Sequence, residues 1–169
     1  TNITLLLNSK LGPYSKSAGI YKCPSDSSVV RMGGVNMPRV RSVSMNCYII
    51  GTGAIPNGYD NPSYLTYKKT SDITRPGPSD LWLILDERAD SINDGFFGQN
   101  VTSTLIQDGP GSYHAGSCGM SFADGHSEVH HWLDGNTKLP VVANRLWPGN
   151  TYSSPDDMAW MNAHTTALK

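Results

Sequence analysis

Three side chains that could bind a metal alternate along one short stretch of the sequence: His126, Glu128 and His130. Alternate residues of a β-strand point to the same face, so two imidazoles and a carboxylate would lie together there. Three such ligands with an open position suit a catalytic Zn²⁺. We favour the plainer interpretation, a solvent-facing polar side or a contact face for a neighbouring subunit, and keep zinc as the alternative.

An oxygen-rich loop is the second candidate site. Its ligand-type residues are Asp86, Glu87, Asp90, Asn93 and Asp94. Carboxylate and amide oxygens suit Ca²⁺, although the spacing is not that of an EF-hand. We favour the interpretation that these side chains cap the local backbone, as Asp and Asn commonly do in turns. A calcium site is kept as the alternative, and calcium is the cofactor that such a site would hold.

The third candidate is the pair His114 and Asp124. Ten residues of extended strand would separate them by roughly 33 Å, so they share one site only if the chain doubles back between them. We therefore treat them separately. Asp124 is expected to be a turn residue, followed by Gly125 with a positive φ. His114 is expected to hydrogen-bond to Asp86 or Glu87 and so to lock two loops together.

The three cysteines, Cys23, Cys47 and Cys118, lie too far apart for a CxxC redox or zinc motif. In an oxidising compartment they predict one disulfide and one free thiol, and the sequence does not choose the pair. The alternative is that all three are small buried hydrophobic residues.

The length and net charge of the chain limit which classes of function are possible. The chain has 169 residues, enough for a single domain spanning 1–169, and a net charge of -1. Without a basic excess, nucleic acid is a poor partner. The apolar runs are far shorter than the ~20 residues that cross a bilayer. The sequence also lacks a G-x-S-x-G elbow and a phosphate-binding glycine loop, which argues against serine hydrolases and nucleotide enzymes.

The clearest structural prediction is a β-hairpin around Asp124-Gly125. A two-residue type I′ turn would pair Phe122 with Ser127 and Met120 with Val129. In this register Met120, Phe122 and Val129 face the core, and the three ligand-type residues of the hairpin face the other side.

The remaining pattern predicts short strands and long loops. The other predicted elements are a helix-like stretch from Leu5 that stops at Gly12-Pro13, a turn at Cys23–Asp26, a half-buried strand within Arg39–Ile49, a loop over Gly51–Pro62, a strand candidate at Tyr64–Lys68, a central strand at Leu81–Leu85, and a closing helix at Met158–Leu168 with a cap near Ser154.

Several blocks of the sequence resemble one bacterial family. His114, nine further residues and then Asp124-Gly125 match the signature of the prepilin-type processing-associated proteins named for an H-X9-DG motif. Other blocks similar to that family follow in its order, and they are Tyr21–Asp26, Arg39–Asn46, Asp86–Gly95 and His114–Trp132.

The resemblance implies a type IV pilin-like or type II secretion pseudopilin-like protein. Its fold would be α+β, with a long N-terminal helix laid against an antiparallel β-sheet. Members begin with a prepilin leader and a hydrophobic helix, which this sequence lacks, so we expect a truncated helix here and a membrane-anchored parent. The expected location is extracytoplasmic, at the cell surface or in the periplasm. Some pseudopilins hold a structural calcium, which supports a calcium site in the oxygen-rich loop at Asp86–Asp94.

The favoured function is therefore a non-enzymatic envelope subunit. It would act through filament assembly, secretion-apparatus assembly or adhesion, with other pilin-like subunits or secretion components as partners. One alternative is a metal-dependent hydrolase that uses His126, Glu128 and His130. Another is a module that binds extracellular polysaccharide through exposed aromatic residues, namely Trp82, Trp132, Trp147 or Trp160.

Overall fold

The computed structural model describes residues 2–50, 61–143 and 145–169. Its α-helices are α1 (Ile3–Leu7), α2 (Gly12–Ser15) and α3 (Pro155–Thr165). Its strands are β1 (Val29–Met32), β2 (Val35–Pro38), β3 (Val43–Asn46), β4 (Trp82–Asp86), β5 (Phe96–Phe97), β6 (Ser117–Phe122) and β7 (Ser127–His131). Short 3-10 helices lie at Ala18–Tyr21, Cys47–Ile50 and Thr70–Asp72. This content confirms the predicted α+β class.

Five strands form the main sheet, in the order β5-β3-β4-β6-β7, while β1 and β2 form a separate antiparallel pair. Neighbours in the main sheet are antiparallel except β3 and β5, which are parallel. The central position of β4 confirms the prediction for Leu81–Leu85, because a strand with neighbours on both edges and packed faces carries a continuous apolar run.

Helix α3 closes the main core. Met158 and Met161 of α3 are fully buried in one cluster with Trp82 and Trp132. The Trp82 indole Nε1 donates to Thr165 Oγ1 at 3.0 Å, which ties the end of the helix to the central strand. The proline in the first turn confirms the prediction, but the helix begins and ends three residues before the predicted Met158–Leu168, and the Ser154 side chain makes no capping hydrogen bond.

The β6–β7 hairpin forms, but the predicted register is wrong by one residue. Ser127 pairs with Ser121, and Phe122 N–H donates to His126 O. Of the two turn residues only Gly125 has a positive φ, of +95°, whereas a type I′ turn needs two such residues. The loop therefore has three residues, and a one-residue shift moves every side chain of β7 to the other face. Val129 is consequently exposed.

Strand β3 buries its polar face and leaves its apolar face partly exposed. Ser42, Ser44 and Asn46 are almost completely inaccessible, while Val43 and Met45 are half-buried. Burial of polar groups is tolerated where each finds a partner, and Asn46 Nδ2 donates to Trp82 O and to Thr165 O, both at 3.0 Å. The strand is shorter than predicted, because the chain continues from position 47 as a 3-10 helix.

Three further predictions have different outcomes. Gly12-Pro13 does not end the helical region but opens α2, since proline fits the first turn of a helix. Tyr64–Lys68 is not a strand, and only Tyr64 forms an isolated bridge, to Leu168. The predicted Gly51–Pro62 loop lies outside the described residues except at its last two positions.

None of the helices in the described ranges has the length and apolar character needed to cross a bilayer.

Candidate metal centre

Three polar side chains from distant parts of the chain meet at the end of β4. They are Cys23, Asp86 and His114, and they offer ligand atoms that all lie within 4.8 Å of one another. Cys23 and Asp86 are buried, and the His114 side chain is 34% exposed. Within the described residues this is the one group of three or more His, Cys, Asp and Glu side chains that meets this distance.

Cys23 is held by the predicted turn. The chain leaves the 3-10 helix at Ala18–Tyr21, and Asp26 N–H donates to Cys23 O at 3.0 Å. Cys23 N–H in turn donates to the buried Ser42 Oγ at 2.6 Å. The turn is thus fixed to the residue that precedes β3, and the thiol is directed toward the end of the neighbouring β4.

Two glycines make room for Asp86, the last residue of β4. Gly119 N–H donates to Asp86 Oδ2 at 3.1 Å, and a Cβ at position 119 would lie 2.8 Å from that oxygen. On the other side Gly111 N–H donates to Asp86 O at 2.6 Å, and a Cβ at position 111 would lie 2.9 Å from Asp86 Cβ. Side chains at these two positions would push the carboxylate out of the cluster.

A tight reversal brings His114 to this carboxylate. Ala115 and Gly116 have φ values of +53° and +85°, and His114 N–H donates to Ser117 O at 3.2 Å. The chain therefore turns back immediately after His114 to begin β6, beside β4. His114 Nε2 lies 3.5 Å from Asp86 Oδ2, which confirms the predicted contact between two loops.

The same imidazole nitrogen faces both of its partners. His114 Nε2 lies 3.3 Å from Cys23 Sγ and 3.5 Å from Asp86 Oδ2. In a catalytic triad the base uses one ring nitrogen for the nucleophile and the other for the carboxylate. Here one ring nitrogen faces both groups, so the arrangement differs from that of a triad, and the three side chains together could hold a metal ion.

The electrostatics also argue against a cysteine nucleophile. Burial raises the pKa of the Cys23 thiol, and the Asp86 charge raises it further. Burial likewise raises the pKa of Asp86, although the Gly119 N–H and His114 oppose that shift. Reactive cysteines have lowered pKa values. Cys23 therefore keeps its proton at neutral pH unless a cation replaces that proton.

The predicted disulfide is not present among the three cysteines, which all are buried. Cys23 contacts His114, and Cys118 Sγ donates to Asp86 O at 3.3 Å. Cys47 lies in a separate core cluster with Tyr48. The alternative expectation, three small buried side chains, describes the structure: Cys23 and Cys118 both lie beside Asp86 without a bond between them, and Cys47 lies elsewhere.

The residues of the predicted calcium site do not converge. Asp86 joins the cluster above, and the fully buried Glu87 hydrogen-bonds to Ser44 Oγ. Asp90 forms a buried ion pair with Arg88 at 2.6 Å. Asp94 accepts from Phe96 N–H at 2.8 Å, and Asn93 is exposed. Successive residues at the end of a strand point to different sides, so these oxygens serve separate local partners.

The residues of the predicted zinc site lie on one face but do not form a group of three, because only Glu128 and His130 contact each other. His126 Nδ1 lies 2.6 Å from Asp124 Oδ1, and its ring stacks on Phe122. The Glu128 carboxylate lies 3.7 Å from His130 Nδ1. The His130 ring stacks on Trp160 at 3.7 Å, and burial lowers its pKa. The observed register explains the contacts with aromatic rings. It places Glu128 and His130 on the same side of the sheet as the buried Met120 and Cys118.

The tryptophans do not form an exposed aromatic platform. Trp82 and Trp132 are fully buried. Trp147 is partly buried beneath the Arg88 guanidinium, 3.9 Å from its ring centroid, and Trp160 is covered by His130 and His164. The exposed sugar-binding surface that these residues would require is therefore absent at all four positions.

Sequence reasoning found two of the three clustered residues but assigned no role to Cys23 beside them. The available signal was the Cys23–Asp26 turn, which fixes a thiol in a short rigid segment, although no spacing rule links it to positions 86 and 114. No family model, curated protein or solved structure matches the chain. The chemistry of the cluster is therefore inferred from its own geometry.

Proposed function

We propose that the protein is a non-enzymatic, pilin-like subunit of the cell envelope, which acts by assembling with other pilin-like subunits or with secretion-apparatus components. The observation that carries this proposal is the N-terminal helix α1. Its sequence is Ile-Thr-Leu-Leu-Leu, and it has no buried residue. An apolar helix with uncovered side chains is a surface that association with another chain would bury.

The exposed apolar surface continues beyond α1. The short helices α1, α2 and Ala18–Tyr21 contact one another. They carry exposed side chains at Leu5 (70%), Leu11 (57%), Tyr14 (85%) and Ile20 (61%). We call these four residues the N-terminal apolar surface. Apolar patches of this kind, on a chain whose large aromatic residues are mostly buried, are typical of interaction sites.

The chemistry of the cluster supports a role without catalysis. The thiol of Cys23 is not activated, and the His114 ring nitrogen that faces it also faces Asp86. The hairpin histidines, which a metal-dependent hydrolase would use, contact aromatic rings and separate carboxylates. The Cys23 thiol lies 3.3 Å from His114 Nε2, but its raised pKa does not favour a nucleophile.

The placement of the motif residues also agrees with a structural role. His114 joins the β4 end to the loop before β6, and Asp124 caps the hairpin turn by accepting from His126 N–H at 3.0 Å. The five-stranded, mainly antiparallel sheet supports a pilin-like fold, whereas the helix that packs on this sheet is α3 and not α1. We therefore retain that fold as part of the proposal.

Sedimentation velocity over micromolar to millimolar protein concentrations tests the assembly role. We expect concentration-dependent self-association that Leu5→Lys abolishes, because a buried charge in an apolar interface is costly. The matched control is Leu133→Lys, since Leu133 is 67% exposed but lies outside the N-terminal apolar surface. A wild-type chain that stays monomeric throughout, or association lost equally in both variants, would overturn the proposal.

A further inference from the structure

We propose that Cys23, Asp86 and His114 bind one Zn²⁺, with the fourth coordination position open to solvent. The three residues come from the turn after the first 3-10 helix, the end of β4 and the loop before β6. This inference concerns a site separate from the N-terminal apolar surface, and it does not depend on the assembly role.

Two of the three separations between the ligand atoms match those of a tetrahedral zinc site. With Zn–S near 2.3 Å and Zn–N and Zn–O near 2.0–2.2 Å, tetrahedral angles place the ligand atoms about 3.4–3.6 Å apart. Cys23 Sγ and His114 Nε2 are 3.3 Å apart, and His114 Nε2 and Asp86 Oδ2 are 3.5 Å apart. The third separation, between Cys23 Sγ and the Asp86 carboxylate, is within 4.8 Å. A zinc ion can therefore enter with small movements of these side chains.

The ligand types select the metal. One thiolate sulfur, one imidazole nitrogen and one carboxylate oxygen suit Zn²⁺, which is borderline in softness. Ca²⁺ and Mg²⁺ prefer sets composed of oxygen ligands. A mixed set of this kind, at the end of a strand that carries no other converging carboxylate, therefore favours zinc over the calcium that the sequence of the loop predicts.

The surroundings hold the ligands in place before any metal enters. Cys23 is fixed through Ser42 Oγ, and Asp86 through Gly119 N–H, so neither ligand must be ordered by the ion. Such outer hydrogen bonds tune and orient metal ligands. The His114 side chain is partly exposed, which provides the entry path and the side on which a water would complete the coordination.

Binding exchanges a proton for the ion. The Cys23 S–H bond breaks, the sulfur forms a bond to Zn²⁺ and the proton leaves to solvent, with no change in oxidation state. The occupied site links residues 23, 86 and 114, so it joins the N-terminal segment to the main sheet. Zinc should consequently raise the Tm of the chain and remain bound to the folded state.

Titration of the reduced chain with Zn²⁺, followed by isothermal calorimetry, tests the stoichiometry and the ligands. We expect one equivalent, with affinity reduced by at least about tenfold in Cys23→Ser, Asp86→Asn and His114→Ala. Matched controls are Cys47→Ala for a buried cysteine elsewhere and His126→Ala for a histidine elsewhere, and both should bind like wild type. Absence of binding by wild type, or loss only in the control variants, would overturn the site.

A measurement on the wild-type chain keeps the proposal testable where a variant fails to fold. Co²⁺ should give the visible bands of a tetrahedral complex and a sulfur-to-metal charge-transfer band. Zn²⁺ should also slow alkylation of Cys23 relative to Cys118, which peptide mapping by mass spectrometry resolves. A cobalt spectrum without the charge-transfer band, or equal alkylation of both cysteines with and without zinc, would contradict the assignment.

Discussion

The ligand-type side chains of β7 and those at the end of β4 differ in what brings them together. On β7 and at the residue before it, His126, Glu128 and His130 share a face only because they alternate along the chain. His126 contacts Asp124, while Glu128 and His130 contact each other. At the end of β4, side chains from three distant segments converge within 4.8 Å. We refer to these two places as the β7 face and the β4 end.

The difference shows that regular spacing does not by itself make a site. Alternate positions on a strand lie about 6.6 Å apart, farther than ligand atoms around one ion. Side chains on such a face must lean toward each other to meet. His126 leans toward Phe122 and Asp124 instead, and the His130 ring stacks on Trp160, so that only Glu128 approaches His130. At the β4 end the backbone itself reverses after His114, and glycines at 111 and 119 leave room for the carboxylate.

The largest expected contrast in stability concerns ion pairs. Arg88 forms a buried pair with Asp90, and its guanidinium also covers Trp147. Arg88→Ala should lower the free energy of unfolding by about 3–5 kcal/mol, because it leaves a buried carboxylate without its partner. Glu128→Ala, at the exposed pair with His130, should change it by less than about 0.5 kcal/mol. Urea denaturation measures both, and equal losses would remove the contrast.

The next contrast is in pH dependence. Burial raises the pKa of Glu87 from 4.5 to about 8, with Asp108 adding to the rise and Ser44, Ser91 and Arg41 opposing it. The folded state therefore holds this proton more tightly than the unfolded state. The contribution of Glu87 to stability is greatest below its unfolded pKa and is lost as pH rises through about 8, by on the order of 5 kcal/mol in total.

Glu87→Gln should flatten this dependence between about pH 6 and 8, because the amide has no proton to lose. Asp108, whose pKa burial raises to about 6, leaves a smaller slope below that range. The matched control is Glu128→Gln on the β7 face, which should keep the wild-type slope. Thermal unfolding in chelator across this range checks both, and an unchanged slope in Glu87→Gln would refute the assignment.

A smaller effect tests the hairpin loop. Gly125 has a φ of +95°, so Gly125→Ala should cost about 1–2 kcal/mol in unfolding free energy. Gly135 also has open space around the position of a Cβ but no such φ, and it is the matched control with little expected loss. Chemical denaturation of the two variants checks the three-residue loop. Similar stabilities for both would indicate that the strain at Gly125 is absent.

The smallest contrast compares two histidines in metal-free protein. His114→Ala should lower stability by about 1 kcal/mol in chelator, because it removes the contact that joins Asp86 and Cys23 across two loops. His126→Ala should change stability by less than about 0.5 kcal/mol, since that side chain is 42% exposed. Differential scanning calorimetry resolves the two, and an unchanged Tm in His114→Ala would refute the lock.

Local patterns predicted the elements but not how they pack. The apolar run at Leu81–Leu85, the hairpin at Gly125 and the helix after Ser154 all appear where the sequence indicates. The hairpin register was missed because Asp124-Gly125 is compatible with loops of two or three residues, and only the φ of Asp124 distinguishes them. A one-residue difference was enough to assign the β7 face to the wrong side of the sheet.

The candidate site was less accessible to sequence reasoning. Contact of His114 with a carboxylate could be predicted from the loop order, whereas the third member, Cys23, could not. Its approach depends on the hydrogen bond to Ser42 before β3, and β3 buries its polar side, contrary to the usual pattern. Such an inversion is determined by what packs on the strand, not by the strand's own residues.

The most direct test of the contrast between the two places is X-ray absorption at the zinc edge, on the chain loaded with one equivalent of Zn²⁺. The β4 end predicts one sulfur at about 2.3 Å and nitrogen or oxygen neighbours at about 2.0–2.2 Å, with the sulfur lost in Cys23→Ser. A shell without sulfur, or one that disappears in His130→Ala and persists in Cys23→Ser, would contradict the account and place the ion on the β7 face.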